Sequence, residues 1–223
     1  ATHPADLCAK VGGFRRFANW VAGGQRGNER FVKPFGLALD EADNLCVTDT
    51  ADNSVSWFER AKNRWHRWER IGKLRFAAPV AIAKQGDTLF VADSGRAEVV
   101  AFSIKGELRF RVKEGLTCPA GLVVWSDRLF VADSQRHQVR VFDLRGKPVT
   151  EFGQRGTGPG ELNFPTHLAV DAGGLVYVVD SLNSRVQVFT AEGKFQRQSG
   201  SMGDSPGHFS RPKGVAVDGH GHV

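Results

Sequence analysis

The sequence lacks the features that mark several common classes of protein. No stretch approaches the roughly 18 consecutive apolar residues that a membrane-spanning helix needs. There is no C-x-x-C pair, so neither a zinc knuckle nor a thioredoxin-like redox site is predicted. No N-x-S/T sequence marks a glycosylated surface, and the 3.6-residue periodicity of amphipathic helices is missing. These absences favour a fold built without helices, metal knuckles or membrane spans.

Cysteines are few, and no two of them are close in sequence. The chain has 3, an odd number. Cys46 lies within an apolar run typical of a strand, so we expect it to be a small buried hydrophobic residue. The sequence leaves the pairing of Cys8 open, and it does not determine the redox state of Cys46 or Cys118.

Positive charge is in moderate excess. The 30 Lys and Arg residues outnumber the 24 Asp and Glu residues, which gives a formal net charge of +6 and a pI near 9.5. Such an excess favours acidic partners, such as nucleic acid, anionic lipid or an acidic protein surface. It bears on solubility and association more than on any one activity.

The dominant feature is an internal repeat, in which a short apolar run ends in VTDT, VADS, VADS or VVDS. Each copy has a valine six residues after its aspartate and a phenylalanine nine residues after it. Each also has a proline 14 or 15 residues before the aspartate, and Pro212 begins a fifth copy. The repeated aspartates are Asp49, Asp93, Asp133 and Asp180.

Every repeat predicts four strands, and the fourth copy is the clearest. Residues 166–171, 175–180, 185–190 and 195–199 form short apolar or alternating runs separated by polar, glycine-containing turns. Polarity rises from the first run to the last, so the first strand should lie deepest and the fourth outermost. Units of this length with four strands each are typical of β-propeller blades.

We therefore predict an all-β fold, a single β-propeller domain over residues 1–223. Complete blades are expected at about 34–78, 79–118, 119–164 and 165–211. A separate outer strand is expected at 14–22 and a partial blade at 212–223. This arrangement predicts a six-bladed ring of which the chain is a C-terminally incomplete copy, with five-bladed closure as the alternative.

The fourth repeat resembles a known family. It reads DSLNSRVQVF at 180–189, and glycine-rich loops at 152–165 and 200–212 precede the following prolines. These residues resemble NHL-repeat β-propellers of the bacterial type. The resemblance implies a scaffold for protein or RNA recognition, although some members of similar fold are amidating lyases or calcium-dependent lactonases or esterases. The glycine-rich loops favour an exported bacterial protein, although the sequence does not determine the compartment.

No residue set predicts catalysis. The aspartates recur at equivalent positions, which indicates acceptors for backbone N–H groups in turns rather than one reactive carboxylate. GDSPG at 203–207 matches G-x-S-x-G, but it lies in a loop between blades, whereas a nucleophilic Ser205 would need a strand before it and a helix after it. We predict no catalytic residue, cofactor or metal, so an enzyme is the less favoured class.

His167 departs from its own repeat. The equivalent position holds a small residue in the other copies: Gly36, Ala81, Gly121 and Gly214. His167 should therefore mark the mouth of the central channel. A metal site there would need further converging ligands, for which His137 and His208 are the candidates in neighbouring loops. The simpler expectation is a polar rim residue.

Charge placement is the main functional indication. The loops between blades and the turns between second and third strands should share one face of the disc, here named the loop face. This face has few evident aromatic residues for base stacking. Its basic residues are Arg26, Arg30, Lys33, Lys73, Arg75, Arg96, Lys113, Arg136, Arg155, Arg185, Arg211 and Lys213, and His167 lies at its centre.

Three functional hypotheses follow. The first is a non-catalytic propeller that binds another protein through its basic loop face. The second is an RNA-binding NHL domain that uses the same face. The third is a metal-dependent hydrolase or lyase with a site in the central channel around His167. The oligomeric state is not predicted.

Overall fold

Each repeat folds into its own antiparallel sheet of four consecutive strands. The computed structural model describes residues 31–218, and the order of strands within every four-stranded sheet follows the chain. The first blade contains β1 (Pro34–Leu39), β2 (Leu45–Asp49), β3 (Ser54–Glu59) and β4 (Arg64–Trp68). A two-stranded hairpin follows it, formed by β5 (Arg70–Ile71) and β6 (Leu74–Arg75).

The next three blades repeat the same plan. The second contains β7 (Pro79–Gln85), β8 (Thr88–Asp93), β9 (Glu98–Ser103) and β10 (Leu108–Val112). The third contains β11 (Pro119–Trp125), β12 (Arg128–Asp133), β13 (Gln138–Asp143) and β14 (Pro148–Phe152). The fourth contains β15 (Pro165–Val170), β16 (Val176–Asp180), β17 (Arg185–Phe189) and β18 (Phe195–Ser199). The predicted all-β fold of four-stranded blades is confirmed, whereas the β5–β6 hairpin was not predicted.

Burial explains this order of strands. The second strands are covered on both faces, and β8, β12 and β16 are buried at nearly every position. The fourth strands are mostly exposed, as in β14 and β18. The apolar clusters lie mainly between neighbouring blades, where the sheets pack face to face.

The first strands pack closely against one another around the centre. A Cβ atom added to Gly36 would lie 2.6 Å from the carbonyl oxygen of Val80. One added to Gly121 would lie 2.8 Å from the carbonyl oxygen of Thr166 and 2.9 Å from Cα of His167. The repeat therefore needs a small residue at this position because the backbone of the next blade is in contact with it.

The repeated aspartates join each blade's second strand to the loop that precedes its first strand. All four are fully buried. Asp133 accepts hydrogen bonds from the backbone N–H groups of Thr117 at 2.6 Å and Cys118 at 3.0 Å. Asp93 does the same with Ala77 and Ala78 at 2.8 Å. The aspartates thus act mainly on the loop before the proline, with a smaller role in the turn that follows.

The C-terminal part of the described chain lies beside the fourth blade without joining a sheet. Residues 213–218 belong to the partial blade expected at 212–223, but they pair with no strand within 31–218. Val215 and Val217 pack against the cluster that contains Tyr177 and Val179. A strand requires a hydrogen-bonded neighbour, and no such neighbour is present in the described range. The partial blade at 212–223 therefore stays a prediction.

Two further predictions are not decided by the described residues. The outer strand at 14–22 falls outside the described residues, and the size of the ring stays a prediction. Within 31–218 no helix is long and apolar enough to cross a membrane.

Candidate binding grooves around the second blade

The second blade contains a buried carboxylate surrounded by cations. Glu98, the first residue of β9, is fully buried. Its Oε1 accepts a hydrogen bond of 2.7 Å from Nε of Arg96, and its Oε2 accepts two from Arg111, of 2.8 Å from Nε and 2.6 Å from Nη2. Nζ of Lys113 lies 3.7 Å from the same Oε2. One negative charge therefore has three cations within reach.

Those cations are only partly covered. The side chains of Arg96 and Arg111 are 34% and 31% exposed, and that of Lys113 is 56% exposed. Burying Glu98 is tolerable because charge-assisted hydrogen bonds compensate its lost hydration. The excess positive charge of the cluster is directed to the surface, where it is available to a further anion.

Two open grooves adjoin this cluster. The first, the hairpin groove, has a volume of about 630 Å³ and lies between the β5–β6 hairpin and the second blade. The second, the blade groove, has about 620 Å³ and lies between the second and third blades. Arg111 lines both. Their basic side chains are Lys73, Arg75, Arg96, Arg111, Lys113, Arg136 and Arg140, and their acidic ones are Glu107, Glu114 and Glu151.

The cations of the blade groove are held in place. Nε of Arg136 donates to Oε1 of Gln138 at 2.8 Å. Nη1 of Arg140 donates to the carbonyl oxygen of Glu114 at 3.0 Å, and its guanidinium lies 5.3 Å from the centre of the Phe142 ring. These contacts fix the side chains and reduce the entropy that binding would otherwise cost.

The structure brings together part of the predicted basic set. Arg75, Arg96 and Arg136 line the grooves, as do Lys73 and Lys113. Sequence reasoning missed Arg111 and Arg140, which lie on strands rather than loops. It also missed Glu98, although a signal was present: the equivalent residues, five positions after the repeated aspartate, are Ser54, Gln138 and Arg185.

Arg185 corrects the predicted surface set, because it lies in the interior of the fourth blade. Its side chain is only 7% exposed. Nε donates to Oδ2 of Asp180 at 2.8 Å, Nη1 donates to Gln198, and Nη2 donates to the carbonyl oxygens of Gly158 and Glu161 at 2.9 Å. With its donors engaged inside the protein, Arg185 is not available to a partner.

The other predicted cations do not join the grooves. Lys33, Arg155, Arg211 and Lys213 are exposed at separate points of the chain. Arg155 forms an isolated bridge with Leu162 in the loop before the fourth blade. The remaining two predicted residues, Arg26 and Arg30, lie outside the described residues.

His167 is half-buried on β15. Burial lowers its pKa, and a hydrogen bond with the backbone of Val215 acts in the opposite direction. Its Nδ1 has no hydrogen-bond partner among the described residues. The ring therefore stays neutral more readily than an exposed histidine.

The two histidines proposed as co-ligands have other surroundings. Nδ1 of His137 accepts a hydrogen bond of 3.2 Å from the backbone N–H of Phe164, and burial lowers the pKa of His137. His208 is exposed. Within residues 31–218, no group of three or more His, Cys, Asp or Glu side chains is arranged to hold a metal ion.

The remaining candidate nucleophiles have unremarkable surroundings. Ser205 is exposed in a loop that no helix follows within the described residues. Cys46 is fully buried, and burial, with a contribution from Asp40, raises the pKa of its thiol to about 12. Cys118 is half-buried, and its pKa is also raised by burial. Neither thiol is poised for reaction.

Comparison with known families gives two matches. Residues 116–175 match a family described as a 6-bladed β-propeller, and residues 162–189 match the NHL repeat. No curated protein sequence matches the chain significantly.

Solved structures with the same architecture include two lyases. A virginiamycin B lyase from Staphylococcus aureus superimposes with a TM-score of 0.67 at 12% identity, over 85% of this chain and 61% of that one. A streptogramin B lyase gives 0.62 at 13% identity, over 76% of this chain and 55% of that one.

A third structure, a hydrazine synthase from Kuenenia stuttgartiensis, gives a TM-score of 0.61 at 18% identity, over 79% of this chain and 51% of that one. The chain thus spans only about half to three-fifths of the structures it matches. At these identities the similarity establishes the fold alone.

Proposed function

Because the chain carries an NHL repeat within a β-propeller fold, we propose that it is a non-catalytic platform that binds another protein through its basic loop face and the grooves that adjoin it. A propeller offers a rigid scaffold on which loops and turns from several blades form one surface. The residues at that surface therefore decide its function.

The observation that supports this proposal most is the clustering of cations around the second blade. Seven basic side chains line the two grooves, against three acidic ones. Several are already oriented by hydrogen bonds to Glu98, Gln138 or the backbone. A fixed array of guanidinium groups suits carboxylate recognition, and arginine is enriched at protein interfaces.

RNA binding remains the alternative for the same face, because a basic surface also attracts phosphates. It predicts binding that falls steeply with salt. The aromatic platforms on which proteins stack single-stranded bases are not among the side chains that line the grooves, apart from the buried Phe142. Protein binding is therefore the better supported proposal.

The hydrolase or lyase hypothesis rests on one observation, the unpartnered Nδ1 of the half-buried His167. It requires a metal and further ligands. Metal analysis of the purified protein tests it: a stoichiometric bound metal that is lost in His167→Gln would favour this alternative over the platform.

Capture of partners from cells of the source organism tests the platform. The tagged protein and a variant with Arg136, Arg155 and Arg211 each changed to Glu are compared by quantitative mass spectrometry. We expect the reversal to remove the specific partners. Prior treatment of the extract with ribonuclease separates the hypotheses, because partners held through RNA would disappear from the unmodified protein as well.

A matched variant controls for net charge. Arg60, Lys62 and Lys194 lie in the turns between third and fourth strands, on the opposite face and away from the residues that line the grooves, so their change to Glu alters the charge equally. Loss of the same partners from both variants, or from neither, would contradict binding through the loop face.

A further inference from the structure

We infer that the hairpin groove and the blade groove together bind an acidic, extended peptide segment of the partner protein. This inference rests on the proposed function and specifies the chemistry of the partner and its place on the propeller. It moves the site from the loop face as a whole to the rim around the second blade.

Glu98 indicates the preference for carboxylates. Its two oxygens occupy positions 2.6–2.8 Å from donors of Arg96 and Arg111, so these side chains are already arranged around a carboxylate. A guanidinium has five N–H donors, and the hydrogen bonds to Glu98 use only Nε of Arg96 and only Nε and Nη2 of Arg111. Arg111, which lines both grooves, can therefore bind a second carboxylate without releasing the first.

The dimensions favour a peptide over a small anion. Each groove has a volume above 600 Å³, and the two adjoin at Arg111. A single carboxylate or phosphate would engage the cations at one point, whereas an extended chain is long enough to contact both grooves. Leu108, 47% exposed in the hairpin groove, and Pro148 in the blade groove offer apolar contacts to the same chain.

The lining does not suit nucleic acid. Phe142 is the one aromatic residue among the side chains that line the grooves in the described structure. It is 1% exposed and covered by the Arg140 guanidinium. Bases would have no ring to stack on, while glutamate and aspartate side chains would find paired donors.

Glu98 also acts as an internal competitor for the arginines. The third blade has Gln138 at the same repeat position, where it accepts a 2.8 Å hydrogen bond from Arg136. Glu98→Gln therefore copies an arrangement that the fold already contains, and it removes the competing charge while preserving an acceptor. Weaker binding in Arg111→Glu and tighter binding in Glu98→Gln are the paired outcomes that this site predicts, and the matched charge change Lys194→Glu separates them from general attraction.

The test uses fluorescence anisotropy with a labelled peptide of alternating glutamate and glycine. We expect the unmodified protein to bind it, Arg111→Glu to weaken binding about tenfold or more, and Glu98→Gln to tighten it several-fold. Lys194→Glu, the same charge change in the fourth blade, should change the affinity less than about twofold. Equal weakening by Arg111→Glu and Lys194→Glu, or weaker binding in Glu98→Gln, would overturn the inference.

Two further measurements cover the cases in which Arg111→Glu does not fold or the site prefers nucleic acid. If Arg111→Glu does not fold by circular dichroism, Lys73→Glu with Arg75→Glu replaces it, because both side chains are exposed in the hairpin groove. A labelled oligouridylate of equal charge is the second probe. Tighter binding of the RNA than of the peptide, abolished by the same variants, would overturn the inference in favour of nucleic acid.

Failure of this inference is distinguishable from failure of the platform. If the peptide does not bind but Arg155→Glu with Arg211→Glu still removes partners captured from cells, the loop face binds protein elsewhere. If neither experiment shows an effect, both proposals are wrong.

Discussion

The second and fourth blades have side chains of opposite charge at the same repeat position. Five residues after the repeated aspartate, the second blade has Glu98 and the fourth has Arg185, and both side chains are buried. Arg185 satisfies its donors within its own blade and the preceding loop. Glu98 instead draws on Arg96, Arg111 and Lys113, which remain partly exposed.

The loop that precedes each blade explains the difference. The loop before the fourth blade, residues 153–164, folds back, and its carbonyl groups at Gly158 and Glu161 cover Arg185. The equivalent segment before the second blade, residues 69–78, instead contains the β5–β6 hairpin. Side chains therefore supply the hydrogen bonds and positive charge that Glu98 needs, and these side chains stay partly exposed to solvent.

A repeat position therefore has no fixed role. The position tolerates either sign of charge because a buried charge needs compensation, and whichever group is near supplies it. When backbone carbonyls supply it, the result is a closed structural unit. When long cationic side chains supply it, the result is a charged surface that a partner can use.

The largest expected effect lies in the fourth blade. Arg185→Met should lower the free energy of unfolding by about 3–5 kcal/mol, because it removes the buried cation paired with Asp180 and a donor to the carbonyl groups of Gly158 and Glu161. Urea denaturation measures this. Lys194→Met, an exposed cation of the same blade, is the control. A loss below about 1 kcal/mol would show that the fourth blade is no more closed than the second.

Asp133→Ala measures how much a repeated aspartate, which every blade has, contributes to the stability of the fold. The backbone N–H groups of Thr117 and Cys118 lose their acceptor, so we expect the free energy of unfolding to fall by about 2–3 kcal/mol. Thermal denaturation and peptide affinity, measured together, should show a lower Tm with unchanged binding by the folded protein. Changed affinity at unchanged stability would assign this aspartate to the site.

The loop at residues 153–164 should become less stable in acid, with a smaller effect than either substitution. A hydrogen bond from the Gly158 backbone, followed by one from Gln154, lowers the pKa of the Glu161 carboxyl. These bonds favour the ionised form, so their stabilisation is complete above the ordinary value of 4.5 and is lost as pH falls through the lowered value.

NMR of the Gly158 amide checks this. Its chemical shift should titrate below pH 4.5, and Glu161→Gln should abolish the transition. A transition at or above that pH would show that the loop is not held by this carboxylate, which would weaken the explanation based on the loop before the fourth blade.

The fold could be read from the sequence because its signals are local and repeated. Proline, aspartate, valine and phenylalanine recur in register, and in each blade the proline begins the first strand and the aspartate ends the second. The backbone conformation of the turn that follows each aspartate was harder to predict from the sequence. Asn53, Ala97, His137 and Ser184, four residues after each aspartate, all adopt a positive φ between 52° and 57°, although the four residue types share no obvious preference for it.

The candidate site could be predicted only in part, because it depends on contacts between blades. The basic residues of the loops could be identified in the sequence. The sequence did not show that the strand residues Arg111 and Arg140 lie on the same side of their blades as those loop residues. The β5–β6 hairpin, which forms one wall of a groove, interrupts the repeat and carries no periodic signal. Arg185 was misassigned because its repeat position indicated a turn, whereas its burial depends on a distant loop.

We propose that one repeat position is structural in the fourth blade and supports a binding surface in the second. The most direct measurement compares Glu98→Gln and Arg185→Gln for both unfolding free energy and affinity for the acidic peptide. We predict that Glu98→Gln changes stability by less than about 1 kcal/mol and tightens binding, while Arg185→Gln loses about 2–4 kcal/mol and leaves the affinity of the folded protein unchanged. Strong destabilisation by Glu98→Gln without any change in affinity would contradict the account.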